Sequence, residues 1–600
     1  MSDRIILFDF EVFEYDTLLG SLIIDNDDSE PECFQSWDRD EQIQFFNDHK
    51  DDFWIGHNNK HYDNLILEAI VNGKNPKEIS RQIVEQGKKL RCHLKFKYYD
   101  LMGKGFYSLK VTEAAAGKNI SESKVDFTMK RHLTEEEKLL TESYNRDDLY
   151  QTFDNLNDPV NAGYMSARLN LIAMFNLPTE CLTLTETQVA ASVLKAKQVP
   201  GIEHQMVKPI IYDTLQLNNK ELMDYYLAED FRTKKKCSFM LCGAEHKCGS
   251  GGIHAALPKY HTKKAMYFDV SGYYNLIMLN YDLLPRTMDA TSKEIYRELY
   301  YKQLEYKKTA PYKRWALKVV LLAVFGSMMN EYTDFYDPQR GLLVTITGQI
   351  FIVDLLEKLE GLVKVVQSNT DGIIVEPYDW SKKDEVIKIV EEWENRTGFV
   401  IKKEMIYNVF QRDVNCYFYT DESGEHVTIK GEAVKDYDRW QNLFTSCVFN
   451  SKEPPIIAQC ICDYYLYNKL PEQVINEHAH QLRMFQYICK PQSFDYLDYE
   501  KTHQDGRVDI EHLQQHVNRA FAMANDEYTG MIYKKRDSGK VTKTKVSNLP
   551  DSVFVYNNEI LSDEAVNKLM PQIDYQYYID RGYERILEFC KTTKIKDILI

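Results

Sequence analysis

The chain has 600 residues, 44% of them hydrophobic, and a formal net charge of −17. That length exceeds what one hydrophobic core fills, so several domains are expected, and no apolar run reaches the ~18 residues that span a bilayer, residues 319–325 being the nearest. The acidic balance argues against a nucleic-acid partner only until its distribution is read. Basic clusters at 232–236, 302–318 and 534–545 stand apart from acid-rich stretches at 25–52 and 382–394, and separated patches of this kind can still hold phosphate. The start, Met1-Ser2-Asp3-Arg4 followed at once by apolar residues, lacks the features of a signal peptide. The 12 cysteines are scattered, as expected of reduced thiols rather than a disulfide framework. A soluble, cytoplasmic protein is expected.

Ile5-Ile6-Leu7-Phe8 reads as a buried strand that delivers Asp9 and Glu11 at its C-terminal end, on one side of the strand because side chains alternate. Asn59-Lys60-His61-Tyr62-Asp63 opens an amphipathic helix through Leu65, Ile66 and Ile70. Tyr144-Asn145-Arg146-Asp147-Asp148 places Tyr144 and Asp148 on one helix face, downstream of a helix start at Thr134-Glu135-Glu136-Glu137. Singly, each is as common on an ordinary surface. In this order, Asp-x-Glu, Asn-x-x-Tyr-Asp and Tyr-x-x-x-Asp resemble the three motifs of proofreading 3′–5′ exonucleases with an RNase H-like fold. The resemblance implies that Asp9, Glu11, Asp63 and Asp148 hold two Mg²⁺, that Tyr144 orients the attacking water, and that Asn59, with Asn58 as the alternative, binds substrate. The stretch from Ser108-Leu109-Lys110 through Asp126 to Leu139 also resembles this domain in small phage polymerases.

Residues 157–264 read as connective. Cys237, Cys242, His246, Cys248 and His254 have the chemistry of zinc ligands but no zinc spacing, and the alternation from Cys237 to Cys242 with Gly243 after it fits a hairpin strand instead. Gly251-Gly252 resembles a Gly-Gly linker of family B polymerases, with Gly249 where that linker carries tyrosine.

Three further stretches follow. The apolar strand at 265–268 delivers Asp269, with Ser271-Gly272 as a turn behind it. A helix of charged and aromatic residues at 293–308 breaks at Pro311, where a second begins and carries Arg314, Lys318, Leu322, Phe325 and Gly326, with Lys318, Leu322 and Phe325 on one face. Residues 363–376 are two β-branched runs flanking a polar turn that ends in Asp371-Gly372, a hairpin with a carboxylate at its tip. These resemble motifs A, B and C of family B DNA polymerases. Asp269 and Tyr274 keep motif A spacing, Leu322 stands where motif B has asparagine, and Asn369-Thr370-Asp371 stands where motif C has Asp-Thr-Asp. The resemblance implies that Asp269 and Asp371 hold the catalytic metals and that Tyr274 lies beneath the nucleotide sugar. It makes Lys318 the triphosphate ligand, sets Phe325 and Gly326 against the nascent base pair, and brings Asn369 and Thr370 to the substrate. Arg412 and Lys430 would grip primer backbone.

The resemblance covers nearly the whole chain and is nearest to the small phage-encoded enzymes. It implies an α/β multidomain fold: residues 1–156 an RNase H-like exonuclease, 157–264 the connecting region and Gly-Gly linker, 265–290 the first part of the palm, 291–331 fingers, 332–432 the rest of the palm, and 433–600 thumb and C-terminal region, with the 534–545 cluster following duplex phosphates. The expected activity is primer extension with dNTPs on a DNA template with 3′–5′ proofreading, in replication of phage DNA in the host cytoplasm, with two Mg²⁺ per site and Mn²⁺ as a substitute. A monomer is expected, without membrane contact. The intervals from Asp269 to Lys318 and from Gly326 to Asn369 leave no room for the insertions of protein-primed relatives, so an ordinary primer, a helicase and a single-strand-binding protein are expected. The alternatives are an exonuclease on a DNA-binding scaffold with an impaired polymerase site, and a non-enzymatic replication subunit.

Overall fold

Two sheets, built from the β-branched and aromatic runs of the sequence, carry the chemistry-bearing residues. The computed structural model describes residues 4–25, 30–102, 107–202, 214–228, 237–438, 453–524, 527–536 and 543–592. They form a mixed α/β, multidomain chain, and among them no helix is long and apolar enough to cross a membrane. The basic cluster at 232–236 lies outside the described residues.

The first sheet has five strands in the spatial order Glu32–Ser36, Thr17–Ile24, Ile5–Val12, Phe53–Gly56, Lys97–Asp100. Ile5–Val12 and Thr17–Ile24 are antiparallel, with Asp9 opposite Gly20, whereas Phe53–Gly56 joins Ile5–Val12 in parallel and Lys97–Asp100 continues parallel to that. Parallel neighbours need a crossover, and the helices Asp63–Val71 and Pro76–Val84 make the second one. Alternation splits the core into two layers: Ile6, Phe8, Trp54 and Ile66 on one face, Leu7, Leu22, Ile55 and Leu149 on the other. Each buried side chain of this size contributes ~1.5–3 kcal/mol, which holds the central strand, and the carboxylates it carries, in a fixed register. The helix Glu135–Asn157 lies over this sheet and starts at Thr134, whose capping box with Glu137 satisfies the first-turn N–H groups.

The second sheet has nine strands, in the order Val427–Lys430, Cys416–Thr420, Ile401–Asp413, Tyr260–Val270, Gly372–Pro377, Val363–Asn369, Ile253–Ala256, Ala244–Cys248, Cys237–Leu241. Every neighbouring pair is antiparallel. The last three strands correct the reading of residues 157–264 as connective, because from Cys237 on the chain extends the sheet that carries Asp269. Residues before it are also structural: Pro159–Phe175 and Glu186–Leu194 pack against the helix Pro311–Ser327. That helix and Ala290–Thr309 pack together and meet at Ala310, with Pro311 at the first helical position, as the proline predicts. The helix Pro338–Leu359 is buried along nearly all of its length. It is buried on every side, with Thr345, Thr347, Gln349 and Asp354 inside as well as its apolar residues, and so shows no clean amphipathic period to read from sequence.

The C-terminal part packs the helices Pro455–Tyr467, Pro471–His478 and Tyr575–Leu587 together beside a three-stranded and a four-stranded sheet. Its basic cluster is not a free phosphate track in the described residues. Lys534 is buried and donates to Gln492 at 2.6 Å, Lys535 lies 3.5 Å from Asp498, Lys543 pairs with Glu500, and Lys545 lies 3.6 Å from Asp551. Asp498 and Glu500 on the neighbouring strand Tyr496–His503 hold Lys535 and Lys543.

Candidate functional site

The central strand of the first sheet carries Asp9 and Glu11 side by side with Asp148 from the helix Glu135–Asn157; one oxygen from each lies within 4.8 Å of the others. Asp63 opens its own helix beside them, buried, its carboxylate accepting the Phe10 N–H at 3.1 Å. Burial, then mutual repulsion, raises Asp9 and Glu11 well above the ordinary carboxylate range, and burial pushes Asp63 up to about 7. The three carboxylates gathered in this way, with Asp63 beside them, fit a hard divalent cation such as Mg²⁺, whose charge relieves the repulsion.

Residues outside the sequence-predicted set hold this cluster. Asn145, fully buried, donates from Nδ2 to Asp9 at 3.0 Å and accepts from Gln35 Nε2 at 3.1 Å. Lys110 reaches Asp148 at 2.8 Å and Glu113 at 3.1 Å, and its Nζ stands 4.4 Å from the centre of the Tyr144 ring. Burial raises Glu113 to about 8, with Asp148 adding to the shift. Tyr144 itself is driven upward by burial and by Asp148 and Glu11, so its hydroxyl stays protonated and can donate. Of the two candidate asparagines, Asn59 is buried and donates to Asn64 Oδ1 at 3.1 Å. Asn58 takes a left-handed backbone, and its N–H is held by Asp100 at 2.9 Å. The sequence offered one signal for Lys110, its place in the noted Ser108–Lys110 stretch; Asn145 sat unremarked inside the Tyr144–Asp148 motif.

In the second sheet, Asp269 ends the strand Tyr260–Val270 opposite Gly372 on one neighbour and Lys402 on the other. Asn369 pairs with Gly372, so the hairpin turn is Thr370-Asp371 and Gly372 already belongs to the next strand, whereas the sequence pattern ends the polar turn at Asp371-Gly372. Gly372 is needed for a different reason: a Cβ there would stand 3.1 Å from the Tyr267 ring and 3.5 Å from Asp269 Oδ1. The turn is tight, with the Asp371 N–H donating to Asn369 O at 2.7 Å and Thr370 at φ +59, a conformation that costs a β-branched residue ~1–3 kcal/mol. The Asp371 carbonyl accepts the Val270 N–H at 2.9 Å, which ties the tip to the Asp269 strand. Burial and then Asp269 push Asp371 up to about 6, and Lys430 pulls the other way. Tyr267 donates to Asp269 at 3.3 Å. The two carboxylates form a second oxygen donor pair that fits Mg²⁺.

The stretches at 265–274 and 311–326 also meet. Tyr274 packs against Phe325 with ring centres 4.2 Å apart and ring planes tilted by 34°. The helix Pro311–Ser327 buries Ala316, Leu317, Val320, Leu321 and Val324 and turns the opposite face outward, with Lys318, Leu322 and Gly326 exposed and Phe325 half-buried. Lys430 is exposed near Asp371. Arg412 is not with them: it pairs with Asp413 at 2.7 Å and Glu588 at 2.9 Å. The cysteines and histidines weighed for zinc form no metal cluster among the described residues. His246 is core, its Nε2–H donating to Leu241 O at 3.2 Å, and burial lowers it to about 4.

No family model matches the sequence, and no curated protein does. Among solved structures, the family B DNA polymerase from the hyperthermophilic archaeon Pyrobaculum calidifontis is similar, at 14% sequence identity and a TM-score of 0.45, over 98% of this chain and 78% of that one.

Proposed function

We propose that the chain is a template-directed DNA polymerase of the family B type with a 3′–5′ proofreading exonuclease, of the small phage-encoded kind. The observation that carries this reading is the convergence, in one nine-stranded sheet, of Asp269 and Asp371, beside the Tyr274–Phe325 ring pair and the exposed Lys318 face. The separate acidic cluster in a sheet with the 3-2-1-4-5 strand order supports the nuclease half, as an RNase H-like domain would have it.

Asp269 and Asp371 would hold Mg²⁺ in one site, and Asp9, Glu11, Asp63 and Asp148 in the other, where the ion supplies Lewis acidity and charge neutralisation to a phosphodiester reaction. Within the palm, the strained turn fixes the direction of Asp371, and Tyr267 holds Asp269. Tyr274, braced by Phe325, forms a floor for a nucleotide sugar, and Lys318 presents a point charge to a triphosphate. In the nuclease site, Asn145 orients Asp9, Lys110 restrains Asp148, and the Tyr144 hydroxyl donates toward the reacting centre. Base pairing supplies the sequence information, so the protein reads primer-template backbone, with affinity that falls with salt. Helicase and single-strand-binding protein are the partners this implies.

A second reading, an exonuclease on a DNA-binding scaffold, is favoured by one observation: among the described residues, only the N-terminal cluster gathers three or more acidic ligands. A labelled primer annealed to a longer template separates the two. Extension with dNTPs and Mg²⁺ supports the polymerase, and shortening alone under both conditions supports the scaffold.

A further inference from the structure

The helix Leu109–Ala116 touches both the acidic cluster and the far end of the chain. Its first turn carries Lys110, held between Asp148 and Glu113 and against Tyr144. Its other end is clamped from the C-terminal part. Arg519 Nη2 donates to Ala114 O at 3.3 Å and to Lys118 O at 2.8 Å, and Arg483 Nε donates to Ala115 O at 2.9 Å. Backbone bonds close the same seam, Ile560 N–H to Gly117 O at 3.1 Å and Ile120 N–H to Asn557 O at 2.9 Å. Val111, Ala114, Ala115 and Ile120 pack with Val517 beneath it.

Arg519 is fully buried, and its other bonds go to the Gln486 side chain and the Asn558 carbonyl, neutral acceptors both. A buried guanidinium so placed is costly. The last carbonyls of a helix carry partial negative charge and offset that cost; burial lowers Arg519 to about 9, Arg483 adds to the fall, and Tyr556 and then Glu113 oppose it. Gly117 ends the helix at φ +74, and a Cβ there would stand 2.9 Å from Arg483 Cγ, so the close approach requires glycine. With eight residues, the helix is too short to hold its place by its own hydrogen bonds. What fixes its ends fixes Lys110.

We propose that Arg519 and Arg483 are positioning residues for the N-terminal carboxylate site, acting through the helix Leu109–Ala116 on Lys110. The inference rests on the nuclease reading of that site. Through this clamp, the C-terminal part of the chain sets the geometry of Lys110, Asp148 and Tyr144.

The test is a double-mutant cycle in the full-length chain: wild type, Arg519→Met, Lys110→Met and the pair, with Arg519→Lys as the conservative variant. Degradation of end-labelled single-stranded DNA in Mg²⁺ is read as kcat and KM. Arg519→Met should lower kcat by about tenfold or more with KM little changed, as a misplaced catalytic neighbour does. Arg519→Lys should recover most of it, and Arg519→Met should add nothing in the Lys110→Met background. Wild-type kcat in Arg519→Met, or a loss that adds in full to that of Lys110→Met, overturns the proposal. If thermal unfolding shows that Arg519→Met does not fold, Arg483→Met enters the same cycle. Mn²⁺ affinity of the cluster gives a readout independent of catalysis. Releasing Lys110 leaves the cluster more negative, so Arg519→Met and Lys110→Met should each tighten Mn²⁺ binding, without addition in the pair; unchanged affinity overturns the proposal. A wild type that binds Mn²⁺ in this way yet degrades no DNA refutes the nuclease reading and leaves the positioning claim to be judged by the Mn²⁺ cycle.

Discussion

Gly20→Ala should disable the N-terminal site without touching any carboxylate. Gly20 stands opposite Asp9 in the sheet, and a Cβ on it would fall 1.7 Å from Asn145 Oδ1, 2.7 Å from Asn145 Cγ and 3.0 Å from Leu149 Cδ1. Normal contact needs ~3.5 Å, so the Asn145 amide has to withdraw by roughly 1.5 Å or more. It then loses the bond to Asp9 and the one from Gln35. Overpacking of this kind costs ~1–3 kcal/mol and a bond to a charged group ~1.5–3 kcal/mol, so a stability loss of about 2.5–6 kcal/mol is expected. Nuclease activity should fall on the order of 10²-fold, because Asp9 is no longer aimed. Denaturant unfolding and Mg²⁺-dependent degradation of single-stranded DNA read both quantities, and primer extension, whose carboxylates lie in the other sheet, serves as the internal control. A Gly20→Ala protein with wild-type stability and wild-type degradation would refute the register and the role given to Asn145.

Asn369→Asp keeps shape and adds charge beside Asp371, so extension should reach half its maximum at lower Mg²⁺; an unchanged titration would show position 369 to be electrostatically indifferent. His246 gives a pH signature. Its folded-state value lies at about 4, below the ordinary 6.5, so the unfolded chain takes up a proton that the fold refuses. The stability it contributes is present above about pH 6.5 and is lost as pH falls toward 4, by up to ~3 kcal/mol. Urea unfolding should therefore show the gap between wild type and His246→Gln narrowing from pH 7 to pH 4.5, and a constant gap would contradict its burial. Mg²⁺ should raise the melting temperature of the chelator-treated protein, by the equivalent of ~2.7 kcal/mol at a hundredfold excess over Kd. The rise should be smaller for Asp9→Ala with Glu11→Ala, and an equal rise in both proteins would place the tight site elsewhere.

Much of this architecture could be read from local pattern. The hairpin at Asp371, the helix break at Pro311 and the Thr134 helix start each depend on a few neighbouring residues whose backbone preferences agree. The strand through Asp9 and Glu11 was equally plain. Less legible were features set by distant partners. The hairpin strand at Cys237 could be read locally, but its membership of the larger sheet could not, because that comes from the pairing of Ile253–Ala256 with Val363–Asn369, more than a hundred residues on. Pro338–Leu359 was hidden by burial on every side. Arg412 and the lysines around 534–545 carried the right charge for phosphate, but Glu588, Asp498 and Glu500, remote in sequence or on a neighbouring strand, already hold Arg412, Lys535 and Lys543. Within the sites, the carboxylates were legible by type and spacing. Asn145, Lys110 and Gly20 were not, because their roles exist only once the helix Glu135–Asn157 lies over the sheet.

The account's central claim is that two separate carboxylate sites, one in each sheet, perform opposite reactions on one primer. Crossed variants on a single labelled primer-template, with and without dNTPs, test it most directly. Asp371→Ala should shorten the primer and never lengthen it, and Asp9→Ala with Glu11→Ala should lengthen it and never shorten it. Extension by Asp371→Ala, or degradation at the wild-type rate by the Asp9 and Glu11 double variant, would contradict the claim.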